Sequence, residues 1–347
     1  MNAAVHADSS LARRVANAEL LVLGVLGWFA FAFLTIVTVA AGWELTKGGV
    51  RQVDWHVYVA GAQDLLAHRL YAVALDLGGL VLSATQFNLP PLSAVWAVPL
   101  LPLPIEVGGE VWQLIAAASI AITAVLTAFI VGVRRPLLAA GAILGPLSFS
   151  IVYLEGLHLG TNNYLVLAMV GGFAWLMLRR RDRWAGLALG LAIGTKGWPV
   201  ALVVPMVRER RWTVLGWAAA TLFVQAVVFM VWLGPGFPGR MLETLREIPP
   251  PTGFLLGPSS VPGLHSIWET GGGLVVGVLL LALPLHGRSG LGVAILAGLA
   301  AIGNLWIHYA PTILFAVALI FADGLIAFQA RLRERRTAVS VPARQGS

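Results

Sequence analysis

From about Leu20 to Ala41 the chain runs without a single charged residue. As an α-helix such a stretch crosses the roughly 30 Å hydrocarbon core of a bilayer, and it is too long for the apolar core of a cleaved leader. Arg13 and Arg14 precede it and no clear small-residue cleavage site follows, so it is expected to be an uncleaved first span. Further apolar segments occupy roughly 89–103, 111–132, 137–153, 163–178, 185–206, 212–233, 273–285, 290–304 and 307–328. Hydrophobic residues make up 58% of the chain and charged residues 11%. A soluble domain carries about a quarter of its residues as charges, so this chain belongs in a membrane. The expected fold is an all-α polytopic bundle of about ten to twelve transmembrane helices, some of them broken or short.

Charge placement gives the expected topology. Arg134-Arg135, Arg179 to Arg183, Arg208 to Arg211 and the tail from Arg331 to Arg344 punctuate the apolar runs. The net charge of +7 therefore reads as positive-inside topology rather than as a nucleic-acid surface. On this reading residues 1–19 and 329–347 are cytoplasmic, and 20–328 form the membrane domain. Loops 42–88 and 234–272 lie on the opposite face. Segment 185–206 has arginine clusters at both ends and must return to its starting side. Its centre, Gly194-Thr195-Lys196-Gly197-Trp198-Pro199, is a natural helix break, predicting two short helices with Lys196 at the junction. Alternation also requires the proline-rich 89–103 to be re-entrant or partial.

Candidate chemistry gathers on the face away from the arginines. Asp54 follows the first span in Val53-Asp54-Trp55-His56-Val57-Tyr58, within a segment of helical periodicity expected to lie along the interface. There it is either a helix-capping carboxylate or a base for a hydroxyl. Lys196 interrupts an apolar stretch at a cost of roughly 2.5–3.5 kcal/mol on insertion scales, which calls for a partner: it either holds a phosphate beside the broken helix ends or snorkels to the interface. His308 stands at the mouth of the last span, where imidazole serves as a base, a phosphate contact or an interfacial hydrogen-bonder. Glu155, His158, Asn162 and Asn163 crowd one short loop, with groups suited to sugar hydroxyls. Trp55, Tyr58 and Trp198 are aromatic surfaces for a sugar or a lipid chain, or members of an interface belt. No Asp-x-Asp, metal-ligand spacing, P-loop or nucleophile elbow is present, and there is no cysteine.

The order of motifs resembles a known family. Asp54 to Tyr58 is an Asp-x-x-x-Tyr, and Leu70-Tyr71 follows. Asn88-Leu89-Pro90-Pro91-Leu92 opens the next segment. A Gly-x-Asn-Asn turn spans Gly160 to Asn163, and Ala185-Gly186 and Gly190 lead to a Lys-x-x-Pro at Lys196 to Pro199. Pro258-Ser259-Ser260 and the late His308 complete the series. Together these resemble glycosyltransferase family 87 of the GT-C class, although Thr161 stands where that pattern has Gln and Leu89 where it has Tyr.

The resemblance implies transfer of a hexosyl unit, mannose first, from a polyprenyl-phosphate donor to a glycolipid or glycan hydroxyl. Inversion on the extracytoplasmic face of the plasma membrane is part of that expectation. Arabinofuranosyl transfer is the near alternative, and a lipid or sugar transporter the distant one. In this expectation Asp54 or His308 is the base, and Lys196 with Arg51 binds the donor phosphate. Trp55, Tyr58, Glu155, His158, Asn162 and Asn163 contact sugar or acceptor. No cofactor or metal is expected, and the partners are the lipid donor, the acceptor and the bilayer, with no nucleic acid.

Overall fold

A computed structural model describes residues 2–45, 52–71, 87, 89–246, 271–302 and 307–340. Arg51, Asn88, Ser259-Ser260, most of loop 234–272 and much of loop 42–88 lie outside them. Among the described residues there are α-helices and short 3-10 turns but no strand. Helix α1 is Asn2–Leu45, α2 Val53–Leu66, α3 Pro91–Val95, α4 Ile105–Val131, α5 Pro136–Ser148 and α6 Ile151–Leu159. There follow α7 Asn163–Leu178, α8 Asp182–Thr195, α9 Val203–Arg208 and α10 Trp212–Leu233. The last are α11 Phe237–Arg246, α12 Gly273–Ala282, α13 Gly287–Ala300 and α14 Ala310–Ser340.

The described residues hold 14 α-helices, several of them short, and do not establish the expected ten to twelve transmembrane helices. By length and composition, 4 helices can cross a membrane alone, at Ala18–Ala40, Ile105–Val131, Trp212–Leu233 and Ala310–Phe328. The pair α5 and α6, bent by 80°, is apolar and long enough together to form either a broken span or a re-entrant loop. The bend follows Pro146 inside α5, and Ser150 restarts the helix by accepting the Tyr153 N–H at 3.3 Å. The other apolar helices are too short to cross individually.

Polar contacts sort the helix ends into two layers. In one, Arg211 pairs with Asp182 at 3.3 Å, and Arg208 donates to the carbonyls of Leu281 and Leu283. In the same layer the Glu209 carboxylate accepts the Gly287 N–H at 2.6 Å, and Arg288 donates to the Ile130 carbonyl while pairing with Asp323. The opposite layer holds the starts of α2, α4, α7 and α14 and the end of α8.

The Arg211–Asp182 pair makes 182–211 a closed hairpin. Helix α8 ends at Thr195, Lys196 is extended (φ −152°, ψ 121°), and a 3-10 turn at Trp198–Leu202 leads into α9. Pro199, which lacks an N–H, stands inside that turn. Segment 89–103 is also a return. The Tyr71 hydroxyl donates to the Leu89 carbonyl, and the Trp55 indole donates to Ile105 O at 2.9 Å, so both ends stay in the second layer.

Small residues let these helices approach. Gly186, Gly190 and Gly194 recur every four residues along α8, against α10. A Cβ at Gly186 would lie 2.5 Å from the Val214 carbonyl oxygen, and one at Gly190 2.6 Å from Thr221 Cβ. Without a hydrophobic drive between helices in lipid, such close backbone packing is what associates them.

Candidate active site

The turn between α6 and α7 builds the site. Gly160 closes α6 in the left-handed region (φ 70°), and its carbonyl accepts the Trp112 indole N–H at 2.7 Å. A Cβ there would sit 3.1 Å from Trp55 Cβ, so glycine serves both the conformation and the close passage of α2. The next three residues, Thr161, Asn162 and Asn163, are buried.

This turn holds two charged side chains. On one side, the Asn162 N–H donates to the Tyr58 hydroxyl at 3.1 Å and the Asn163 N–H to the Thr161 hydroxyl at 3.3 Å. Both hydroxyls also act on the Asp54 carboxyl, favouring its charged form. On the other side, the Lys196 ammonium donates to the amide oxygens of Asn162, at 3.4 Å, and Asn163. The Lys196 Nζ also faces the Tyr309 ring, and His308 lies beside it at the foot of α14. Ser93 of α3 completes the frame by donating to the Thr195 carbonyl and accepting the Asn162 amide at 3.2 Å.

Electrostatics follow from this packing. Burial pushes the Asp54 carboxyl above its ordinary value, opposed by the Lys196 charge and by the hydroxyls of Thr161 and Tyr58. Asp54 is nonetheless partly exposed, whereas Tyr58 is 2% exposed. Burial, reinforced by Lys196, lowers His308 to about 3, so its imidazole is neutral at pH 7. In that form it can accept a proton or a hydrogen bond, but only as a weak base. The Asn163 amide nitrogen is buried without a hydrogen-bond partner among the described residues, so a ligand oxygen there would satisfy it.

Not every expected residue joins this cluster. Trp55 is 1% exposed, stacked on Trp112 at 5.6 Å, and has no open face for a sugar. Tyr58 is likewise enclosed, with its ring tilted against Trp112, and acts through its hydroxyl alone. Trp198 packs in the main core. His158 is exposed at the end of α6, where its carbonyl accepts the Gln52 N–H at 3.0 Å. Glu155 is half-buried near Tyr164. Thr161, Ser93 and Tyr309 were not foreseen. Thr161 drew notice only as a departure from the expected Gln, and Tyr309 simply follows His308 in sequence.

The sequence pattern of glycosyltransferase family 87 matches residues 87–339, and the chain belongs to that family. Asn162, Asn163, Lys196 and His308 fall inside the match, while Asp54 and α2 precede it. A polyprenol-phosphate-mannose-dependent alpha-(1-2)-phosphatidylinositol pentamannoside mannosyltransferase from Mycolicibacterium smegmatis is 29% identical over 223 residues. That alignment covers 61% of this chain and 51% of the relative, so the chain spans about half the length of the curated protein it matches. No solved structure matches the chain.

Proposed function

We propose that this protein transfers a mannosyl unit from a polyprenyl-phosphate donor to a hydroxyl of a glycolipid or glycan, with inversion at the sugar C1. The observation that carries the reading is the Gly160–Asn163 turn, which holds a carboxylate on one side and an ammonium on the other. Family membership and the named activity of the relative support it.

In the reaction, the acceptor oxygen bonds to C1 as the bond from C1 to the phosphate oxygen breaks. Asp54 orients the acceptor hydroxyl and takes its proton, with a basicity raised by burial. The polyprenyl phosphate leaves as an anion, and Lys196 stabilises the charge that develops on it. The amide nitrogen of Asn163 is a further donor for a phosphate or sugar oxygen, and neutral His308 lines the same space. We assign the neutralising charge to Lys196 rather than to a metal. The arginine layer is taken to face the cytoplasm, which opens the site on the extracytoplasmic side of the plasma membrane.

The test supplies radiolabelled polyprenyl-phosphate-mannose to membranes holding wild type or Asp54→Asn, and follows label into extractable glycolipid. Wild type transfers, and the variant loses about 10²- to 10⁴-fold, the usual worth of a general base. Equal transfer by both would sink Asp54 as base. Transfer only from polyprenyl-phosphate-arabinose would overturn the mannose assignment, and transport of lipid without transfer would overturn the enzyme reading.

A further inference from the structure

We propose that Ser93 is a positioning residue that fixes where the Lys196 ammonium points. The inference rests on the reading of Lys196 as the charge that meets the donor phosphate. Ser93 stands on α3, in the return segment, and is 1% exposed. Its hydroxyl joins two places that both bear on the lysine. It donates to the carbonyl of Thr195, the residue before Lys196, and it accepts an N–H of the Asn162 amide at 3.2 Å.

The direction of each bond is forced. A carbonyl only accepts, so the single Ser93 proton is committed to Thr195. The serine oxygen can then only accept from Asn162, which draws the amide nitrogen to this side. An ammonium only donates, and Lys196 Nζ meets the amide oxygen of the same residue at 3.4 Å. One serine proton thus decides which end of the Asn162 amide the lysine faces. Turned about, that amide would set its own N–H groups against the ammonium. The bond to Thr195 acts on the backbone as well. Helix α8 ends at Thr195, and the last carbonyls of a helix lack partners within it, so Ser93 supplies a donor there.

A second bond from α3 reaches the same residue. The Trp96 indole N–H donates to the Thr195 hydroxyl at 3.0 Å, and that hydroxyl donates to the Leu191 carbonyl at 2.9 Å. Indole is a donor only, so this chain also runs one way. Helix α3 therefore holds the end of α8 through both the backbone and the side chain of Thr195. Thr195 is wholly buried and Asn162 is 1% exposed, which keeps water from standing in for Ser93. Lys196 keeps its bond to the Asn163 oxygen whatever Ser93 does. Loss of the serine hydroxyl therefore misdirects the ammonium without releasing it.

The experiment uses the full chain in lipid nanodiscs, with the lysine ammonium isotopically labelled for nitrogen NMR. Lys47 and Lys196 are the two lysines of the chain, so the Lys196 resonance is assigned by its absence from Lys196→Met. Ser93→Ala is expected to move that resonance by more than its linewidth, and Ser93→Thr, which keeps the hydroxyl, to return it. In parallel, Ser93→Ala lowers kcat about tenfold while KM for the lipid donor holds, the worth of one hydrogen bond felt in the transition state. Introduced into Lys196→Met, the same change costs nothing further, because Ser93 acts through the lysine. An unmoved resonance in folded Ser93→Ala overturns the proposal, as does an equal loss of turnover in both backgrounds. If Ser93→Ala does not fold, Ser93→Cys, whose thiol bonds only weakly, decides on the same criteria. A moved resonance in a protein whose wild type transfers no sugar keeps the role of Ser93 and sinks the proposed reaction instead.

Discussion

The Lys196 ammonium lies 5.1 Å from the centre of the Tyr309 ring, with the amide oxygens of Asn162 and Asn163 on its other contacts. All of these contacts are neutral groups, so none of them neutralises the ammonium. Lys196→Met is therefore expected to lower turnover by about 10²- to 10³-fold in the labelled-donor assay. Lys196→Arg should recover only part of this, because a planar fork replaces a compact ammonium. If this lysine supplies the neutralising charge, a chelator leaves wild-type turnover unchanged. A Lys196→Met protein with wild-type turnover would move phosphate binding elsewhere, Arg51 being the next candidate.

Removing the proposed base should stabilise the fold. Burial raises the folded Asp54 value above its ordinary 3.8, so folding disfavours the charged form. A group of this kind contributes stability below its unfolded pKa and loses it as pH rises through the folded value. At neutral pH the protein then carries a destabilising carboxylate, and Asp54→Asn is expected to melt at higher temperature than wild type while being inactive. The gain should shrink as pH falls toward about 4. A lower melting temperature at neutral pH would mean that attraction to Lys196 outweighs burial.

His308 has the opposite sign. Its folded value of about 3 lies below the ordinary 6.5. Its contribution to stability is complete above about 6.5 and is lost as pH falls toward the folded value. Melting curves from pH 8 to pH 4 should show this loss, and His308→Gln should flatten the dependence. An unchanged slope in the variant would show that other groups govern acid destabilisation.

The α8–α10 seam gives a graded test. An added methyl at Gly186 meets the backbone oxygen of Val214 at 2.5 Å, which cannot yield without moving a helix. At Gly194 it meets the far end of the Gln225 side chain, which can swing away. Gly186→Ala is expected to cost about 1–3 kcal/mol and Gly194→Ala distinctly less, read from thermal unfolding in detergent. The reverse order would mean that the seam does not set helix separation.

The hairpin was legible in the sequence because Gly197 and Pro199 interrupt the backbone and arginines stand at both ends. Asp54 and Lys196 were legible because charges are rare in such a chain. The contact of Tyr58 with the turn was not. Tyr58 and Asn162 are 104 residues apart, and hydrogen bonds between distant segments leave no periodic trace. Trp55 illustrates the converse limit. An aromatic at a membrane surface and an aromatic stacked beneath one look alike in sequence, and only the Trp112 contact separates them. The number of full crossings was not legible, because apolar character does not reveal helix length: α7, α12 and α13 are apolar yet too short to cross alone.

The closed hairpin sets a depth as well as a turn. Its first arm, the 14 residues of α8, rises at most about 21 Å from the arginine layer, less than the roughly 30 Å of hydrocarbon in a bilayer. The lysine at its tip therefore lies nearer the arginine layer than the full thickness of that hydrocarbon. In the proposed reaction, a charge at that depth would meet the phosphate of a lipid carrier whose tail stays among lipids.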